Sequence, residues 1–195
     1  MHINPDVIFE ELDYYSFIKA YNEQQPFSIE TDAITMYLQE HTIEHIPVDT
    51  FEIEGITKEE KNYQYNFIYN NYTEYKILIN KQYYLTKLFG FEFLNSPQHI
   101  ELIEKIQNME KCFFQTINDE KLKDIYRLWT KITNDREETM IKNIYHYSNE
   151  NSFNKAVFLI GAEHITTIQN KAKKYNIGKP ELNWLHIIKD FIPTN

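Results

Sequence analysis

The residues best placed for chemistry follow an apolar run near the end of the chain. Residues 155–160 read Lys-Ala-Val-Phe-Leu-Ile, and Gly161, Glu163 and His164 come directly after them. Such a run is typical of a buried parallel strand, and Gly161 is expected to let the backbone turn tightly into a helix. Ligands of parallel sheets bind beyond the carboxyl ends of strands, so His164, with Glu163 beside it, could bind a metal ion or transfer a proton. The alternative is a plain turn at Gly161 and a capping or surface histidine.

Acidic side chains end two other predicted strands. Residues 6–12 predict a strand that carries Glu10 and Glu11 at its carboxyl end, and the next predicted strand ends at Asp49. Alternation along the first strand puts one of its two carboxylates on each face, or one at the rim of the sheet. Because the carboxyl ends of neighbouring parallel strands lie close together, we expect Glu11, Asp49 and His164 to converge. The alternative for each acid is an ordinary polar residue that meets solvent at a strand end.

A single arginine could supply positive charge to the same place. Arg136 begins a predicted helix, and Met140 and Ile144 follow it on one helical face. The two apolar side chains are expected to face the core, so Arg136 is expected to point inward. A buried guanidinium needs a carboxylate partner or an anionic ligand. The alternative is a surface arginine that pairs with the neighbouring Glu137 or Glu138.

The elements that carry these residues predict an α/β fold. A strand, two helices and a second strand at 43–49 form a βαβ unit with parallel strands, and a strand–helix unit near the C-terminus joins the same parallel-sheet core. Residues 57–133 predict only helices and are expected to be a large all-helical insertion or cap within one α/β domain over 1–195. The predicted helices cover 14–22, 29–42, 57–88, the segment after Ser96-Pro97, 120–132, 135–147 with Asn134 as its cap, and a last segment up to Lys174.

Composition excludes several classes of protein. The 195 residues carry a net charge of −9, and residues 1–60 hold 14 acidic side chains against Lys19 and Lys58, which disfavours nucleic acid as a partner. The single Cys112 excludes an intramolecular disulfide framework and a multi-cysteine metal site. The sequence contains no phosphate-binding Gly-Lys loop, no Gly-x-Ser-x-Gly elbow and no dinucleotide glycine triplet. With neither a signal peptide nor a membrane-spanning run, we expect a cytoplasmic protein without a membrane partner.

Residues 4–49 and 134–176 resemble the TraB/Tiki/ChaN/erythromycin-esterase-like superfamily. Residues 5–12, Pro-Asp-Val-Ile-Phe-Glu-Glu-Leu, look like that family's Pro-Asp-Val-Val-x-x-Glu-Leu strand, and 45–49 look like its next strand, which ends in Asp. The helix after Arg136 and the segment Val157–His164 look like the family's Arg-helix and its second Gly-x-x-His strand end.

The resemblance implies an α/β core with helical insertions and hydrolase chemistry at the strand ends. The bond cleaved is a peptide in the Tiki branch and an ester in the erythromycin-esterase branch. Carried over, Glu11 would be a metal ligand or general base, His164 a ligand or base, and Arg136 an anion clamp or positioning group. A divalent metal ion belongs to some branches, and haem, which ChaN-like members bind, is less expected here.

The sequence also departs from the family pattern. The family has an earlier strand with a first Gly-x-x-His, which this sequence lacks, and Thr50 follows Asp49 where the TraB branch often has Arg. We therefore expect a shortened sequence, a partner that supplies the missing unit, or a loss of catalysis. One hypothesis is a metal-assisted hydrolase of a small-molecule or peptide substrate. The alternative is a non-catalytic binding protein on a degenerate scaffold, whose Tyr-rich helices suit interfaces. A homo-oligomer formed by pairing of strand edges is a further expectation.

Overall fold

The computed structural model of the protein describes residues 3–23, 28–50, 55–175 and 182–186, and most of these residues are helical. The three strands are β1 (Val7–Glu10), β2 (Glu44–Pro47) and β3 (Ala156–Leu159). The helices are α1 (Tyr14–Tyr21), α2 (Ile29–Glu40), α3 (Lys58–Asn71), α4 (Thr73–Leu94), α5 (Pro97–Thr116), α6 (Glu120–Glu150) and α7 (Ile165–Tyr175). A 3₁₀ turn over Ala162–His164 precedes α7.

The three strands form one parallel sheet in the order β2-β1-β3. Val7 of β1 lies between Glu44 of β2 and Ala156 of β3, and all four residues of β1 are buried. The predicted α/β class and the parallel pairing are therefore confirmed. The prediction that 155–160 is a buried strand is wrong in one respect: Ala156 is exposed and the rest of β3 is half-buried. The reason is its position, because β3 is an outer strand of the three.

The helix starts follow local capping signals in the sequence. Ser28 and Thr57 each accept a hydrogen bond from a backbone N–H three residues later, and each forms a reciprocal capping box. Ser96 caps α5, with Pro97 at the first helical position, as the sequence predicts. The carboxylate of Asp13 caps α1 by accepting hydrogen bonds from two backbone N–H groups.

Two predicted helix boundaries are wrong. The single helix expected over 57–88 is two helices, because Tyr72 adopts an extended backbone (φ −127°, ψ 98°) while its ring stacks on Phe113. The expected end of that helix just after residue 88 is borne out by a kink at Gly90 (φ 50°, ψ −128°), beyond which a further short helical segment continues α4 to Leu94. Conversely, 120–132 and 135–147 form one helix, α6. Asn134 lies inside this helix, where its amide bonds to Glu138 one turn later instead of capping a new helix.

The chain divides into two compact units, and α6 contributes residues to both. The sheet unit comprises 1–52 and 134–182, and the helical unit comprises 53–133 and 183–195. The helical unit has an apolar core of its own, in which Ile68, Phe93 and Leu122 are almost completely buried. That 57–133 is an insertion stays a prediction. None of the described helices combines the length and the apolar composition that crossing a bilayer requires.

For residues 182–192 the sequence favours neither a strand nor a helix over the other, and most of this segment lies outside the described residues. Residues 182–186 are described and have no regular secondary structure.

Candidate functional site

Glu11 lies directly after β1 and points to the face of the sheet opposite Glu10, as alternation predicts. One oxygen of its carboxylate, Oε2, accepts a hydrogen bond from the backbone N–H of Gly161 at 2.7 Å. A side chain at Gly161 would bring a Cβ to within 3.2 Å of that same oxygen. The expected tight turn is present, because the backbone N–H of His164 donates to the carbonyl oxygen of Gly161 at 2.9 Å. The φ of Gly161, −55°, suits any residue, however, and the glycine is needed to leave space for the carboxylate.

Arg136 joins the acids that follow β1 and β2. Its Nε lies 3.1 Å and 3.2 Å from the two oxygens of Asp49, and its Nη2 also bonds to Asp49. The same Nη2 donates to Oε1 of Glu11 at 3.1 Å. Burial disfavours the guanidinium charge, but the hydrogen bonds and charges of Asp49 and Glu11 outweigh it and raise the pKa of Arg136. The inward-facing arginine is confirmed, although it lies within α6 instead of beginning a helix.

His164 faces two carboxylates, one with each ring nitrogen. Its Nδ1 lies 2.7 Å from Oε1 of Glu137, and its Nε2 lies 3.5 Å from Oε1 of Glu11. Burial lowers the pKa of His164, but the hydrogen bond to Glu137 and the charge of Glu11 outweigh burial, so the net shift is upward. Glu11 and His164 therefore converge as predicted and are in direct contact.

Glu137 is a member of this cluster that the sequence analysis missed as a site residue. Its carboxylate is almost fully buried and accepts hydrogen bonds from Thr167 at 2.7 Å and Lys171 at 2.9 Å, besides His164. Burial raises the pKa of Glu137, but these three donors outweigh burial and lower it. Because Glu137 is an acceptor, Nδ1 of His164 must carry a proton.

A signal for Glu137 was present in the sequence. Glu137 lies three residues before Met140 and seven before Ile144, so it shares their buried helical face. An acid on an apolar stripe needs a buried donor. The donors His164, Thr167 and Lys171 are in turn spaced by three and four residues, which is the repeat of one helical face.

Two other candidate residues, Glu163 and Asp49, make no direct contact with His164 among the described hydrogen bonds and ion pairs. Glu163 is exposed, and none of the hydrogen bonds or ion pairs of the described residues includes it; its charge adds to the rise of the His164 pKa. Asp49 is brought to the site, but its carboxylate is engaged by Arg136.

The opposite face of the sheet holds a second buried carboxylate. Glu10 accepts a hydrogen bond from the hydroxyl of Tyr21 at 2.6 Å and lies 2.7 Å from Nδ1 of His45. Burial, followed by the bond to Glu10, raises the pKa of Tyr21 far above its usual range. The ring of Phe17 packs against both His45 and Tyr21, so the cluster ties α1 to the sheet.

The fit of a metal ion can be judged from the separation of the candidate ligands. Two ligands of one tetrahedral zinc-like ion lie about 3.4 Å apart when each bond is about 2.1 Å. The 3.5 Å between Nε2 of His164 and Oε1 of Glu11 matches that spacing. A carboxylate on the far nitrogen, here Glu137, is also the usual companion of a metal-bound histidine. Within the described ranges, however, no group of three or more ligating side chains is arranged around one point.

No family model, curated protein or solved structure matches this chain.

Proposed function

We propose that the cluster around His164 is a hydrolase site of the TraB/erythromycin-esterase type, acting on a peptide or ester bond. The observation that carries the proposal is the pairing of His164 with Glu137 on one side and Glu11 on the other. A histidine whose Nδ1 is fixed by a buried carboxylate presents Nε2 in a defined direction, which is the arrangement of a positioned base.

The charges of the cluster explain why Nε2 attracts a cation. Three carboxylates, from Glu11, Asp49 and Glu137, face only two permanent cations, Arg136 and Lys171. With Nδ1 protonated, a neutral His164 would direct the lone pair of Nε2 toward a carboxylate oxygen 3.5 Å away. A proton or a metal ion at Nε2 removes that conflict. A proton brings the charge of the cluster to zero, and a divalent metal ion would leave it with one positive charge.

The described residues suffice for an acid–base step. In molecules whose His164 is neutral, Nε2 takes a proton from a water molecule as the water oxygen attacks the carbonyl carbon, and the same nitrogen returns the proton to the leaving oxygen or nitrogen as its bond to that carbon breaks. Glu137 keeps the imidazole in the required tautomer. Among the described residues Nη1 of Arg136 makes no hydrogen bond, so it is a donor for the negative charge that develops on the carbonyl oxygen.

A divalent metal ion would be held by Glu11 and His164, and when bound it lowers the pKa of a water ligand. Catalytic zinc sites use three protein ligands. A further ligand must therefore come from outside the described part of this chain or from a partner.

The test is hydrolysis of p-nitrophenyl esters and fluorogenic peptides by the purified chain, with and without added Zn²⁺ or Mn²⁺. We expect turnover that falls at least about 100-fold in His164→Ala and in Glu11→Gln. The matched control is His146→Ala, because His146 is an exposed histidine of the sheet unit whose one ion pair among the described residues is with Glu150, one turn later. A folded protein with no turnover on either substrate class, or turnover that survives His164→Ala, contradicts the proposal.

A non-catalytic binding protein is the second candidate, and the exposed aromatic side chains of the helical unit favour it. Tyr83 and Tyr84 of α4 are both more than half exposed, and tyrosine is enriched in protein interfaces. This candidate predicts that a Glu11→Gln/His164→Ala double variant keeps the biological effect of the protein. Loss of that effect in a folded double variant contradicts it.

A further inference from the structure

The outer face of α4 is an apolar stripe with lysines along both sides. Ile77, Tyr84 and Leu88 are each more than half exposed, and successive helical positions turn by about 100°, so the three share one line. Lys81 flanks this line on one side, and Lys76 and Lys87 flank it on the other, all three exposed. Between 76 and 91 α4 carries no acidic residue. We call this surface, Lys76 to Leu88, the lysine-flanked stripe.

The outer face of α2 has the opposite charge around a similar stripe. Ile29 is 88 % exposed and Met36 is 69 % exposed, and Ala33 lies exposed between them at the i+4 position. Asp32 and Glu30 lie on the two sides of the line and Glu40 continues it. Between 29 and 40 α2 carries no basic residue. We call this surface, Ile29 to Glu40, the acid-flanked stripe.

The two stripes match in length as well as in charge. With their charged margins they extend over 11 helical steps (29–40) and 12 helical steps (76–88), about 16 to 18 Å along the axis, and their apolar centres extend over 7 steps (29–36) and 11 steps (77–88). Each places apolar side chains at helical spacing along the centre, and the charged residues of the helix itself are of one sign at the margins, although Glu101 of α5 lies near Lys81. Exposed apolar side chains that form a continuous line, with polar residues at the rim, mark an interaction surface.

We propose that the acid-flanked stripe of one copy docks on the lysine-flanked stripe of a second copy of this chain. The occupant is a second copy because one sequence carries both halves of the pair, and both halves are exposed within a single chain. The contact joins two different surfaces. If it repeats reciprocally, the two contacts form a two-fold symmetric dimer; otherwise it is heterologous and forms rings or longer chains. The proposal goes beyond the hydrolase site and does not depend on it.

Charge governs the specificity of this contact more than its strength. Ion pairs at an exposed rim contribute little free energy each, but like charges placed opposite each other are strongly unfavourable. The apolar centre is short, so we expect weak self-association that weakens further as salt screens the margins.

The test is sedimentation equilibrium of the full chain from about 1 to about 300 μM, at low and at high salt. We expect concentration-dependent association that Lys81→Glu/Lys87→Glu and Glu30→Lys/Glu40→Lys each weaken at least about tenfold. An equimolar mixture of the two reversed variants is expected to associate again, because each then supplies the charge that the other needs. The matched control is Lys111→Glu/Lys142→Glu, which changes the net charge equally at exposed lysines outside the stripe.

Circular dichroism establishes that each variant keeps its helix content. A wild type that stays monomeric over the whole range overturns the proposal. Equal weakening by the control pair overturns it as well, because repulsion by net charge would then explain the loss. Failure of the mixture to associate overturns the pairing of these two stripes. Binding of the wild type to phosphatidylglycerol vesicles that Lys81→Glu/Lys87→Glu abolishes, without self-association, assigns α4 to a lipid surface instead.

Discussion

The two units shift the pKa of an inward-facing histidine in opposite directions. In the sheet unit His164 lies between two carboxylates, whose hydrogen bond and charge outweigh burial and raise its pKa. In the helical unit His99 is completely buried with its ring edge-on to Phe93. There burial lowers the pKa of His99 more than the backbone of Leu94 raises it. The comparison teaches that neighbouring charge, and not burial, distinguishes a histidine suited to proton chemistry from one that fills a core.

The same contrast extends to the rest of each interior. The sheet unit buries the carboxylates of Glu10 and Glu137 and gives each one hydrogen-bond partners from other elements. The helical unit buries mainly apolar side chains, such as Phe93 and Leu122. Stability in the first therefore depends on polar pairing, and stability in the second depends on packing.

The largest effect that would sharpen this comparison is expected at Glu137. Glu137→Ala leaves Lys171, His164 and Thr167 without their buried acceptor, and we expect a loss of about 4 kcal/mol in the free energy of unfolding. Urea denaturation measures the loss. The control is Glu138→Gln, an exposed neighbour, for which we expect a change within about 0.5 kcal/mol. Equal losses in the two variants would show that the buried network is not what stabilises this unit.

Packing in the helical unit is tested at Leu122, which is fully buried in its apolar core. Leu122→Ala removes three carbon atoms and leaves a cavity, so we expect a loss of about 3 kcal/mol. Leu122→Met keeps most of the volume and is expected to cost less than about 1.5 kcal/mol. The measurement is urea denaturation, and an alanine variant no worse than the methionine variant would contradict a close-packed core.

The pH dependence of stability separates the two histidines. Because the folded pKa of His99 is lowered, the unfolded chain binds more protons below about pH 6.5, and the histidine costs stability as the pH falls. His99→Phe is expected to gain about 1 kcal/mol at pH 7 and to lose less stability than the wild type between pH 7 and 5.

The sign is reversed at His164, whose folded pKa is raised. Its contribution is fully present below about pH 6.5 and is lost as the pH rises through the folded value. His164→Gln is expected to cost about 2 kcal/mol at pH 6 and progressively less above pH 7. Unfolding midpoints measured from pH 5 to 8 check both variants, and parallel pH profiles for the two would remove the distinction between the units.

The smallest effects are expected at two glycines. Gly161→Ala is expected to cost about 1 kcal/mol because its Cβ crowds the Glu11 carboxylate. Gly90→Ala meets no atom within 4 Å and is expected to cost a similar amount through its φ of 50° alone. Asparagine tolerates positive φ only together with positive ψ, so we expect it to recover no stability at 90, where ψ is −128°, or at 161. Thermal unfolding of the four variants provides the measurement.

The sequence predicts the elements of the sheet unit well because local signals there agree with the tertiary structure. Alternation and parallel pairing predict that Glu11, Asp49 and His164 lie at neighbouring strand ends. In the structure these residues converge as predicted, with Arg136 joining Glu11 to Asp49 and His164 in contact with Glu11. The inward direction of Arg136 follows from its helical spacing to Met140.

Other features could not be read from local signals. The helix breaks at Tyr72, whose ring stacks on that of Phe113, 41 residues away in sequence, and α6 is continuous through Asn134 in spite of its capping preference; neighbouring residues give no sign of either feature. The role of Glu137 depends on donors from α7, which no window around residue 137 contains. The hydrolase assignment and the membership of the superfamily stay predictions.

The neighbouring carboxylates at 10 and 11 have a consequence for how this chain can change over evolutionary time. Their side chains have partners on opposite faces of the sheet, because successive residues of an extended backbone point to opposite sides. Insertion or deletion of a single residue in β1 would carry Glu10 toward the arginine and Glu11 toward the tyrosine, so both clusters would fail together. The length of β1 is therefore constrained as strictly as the identity of Glu10.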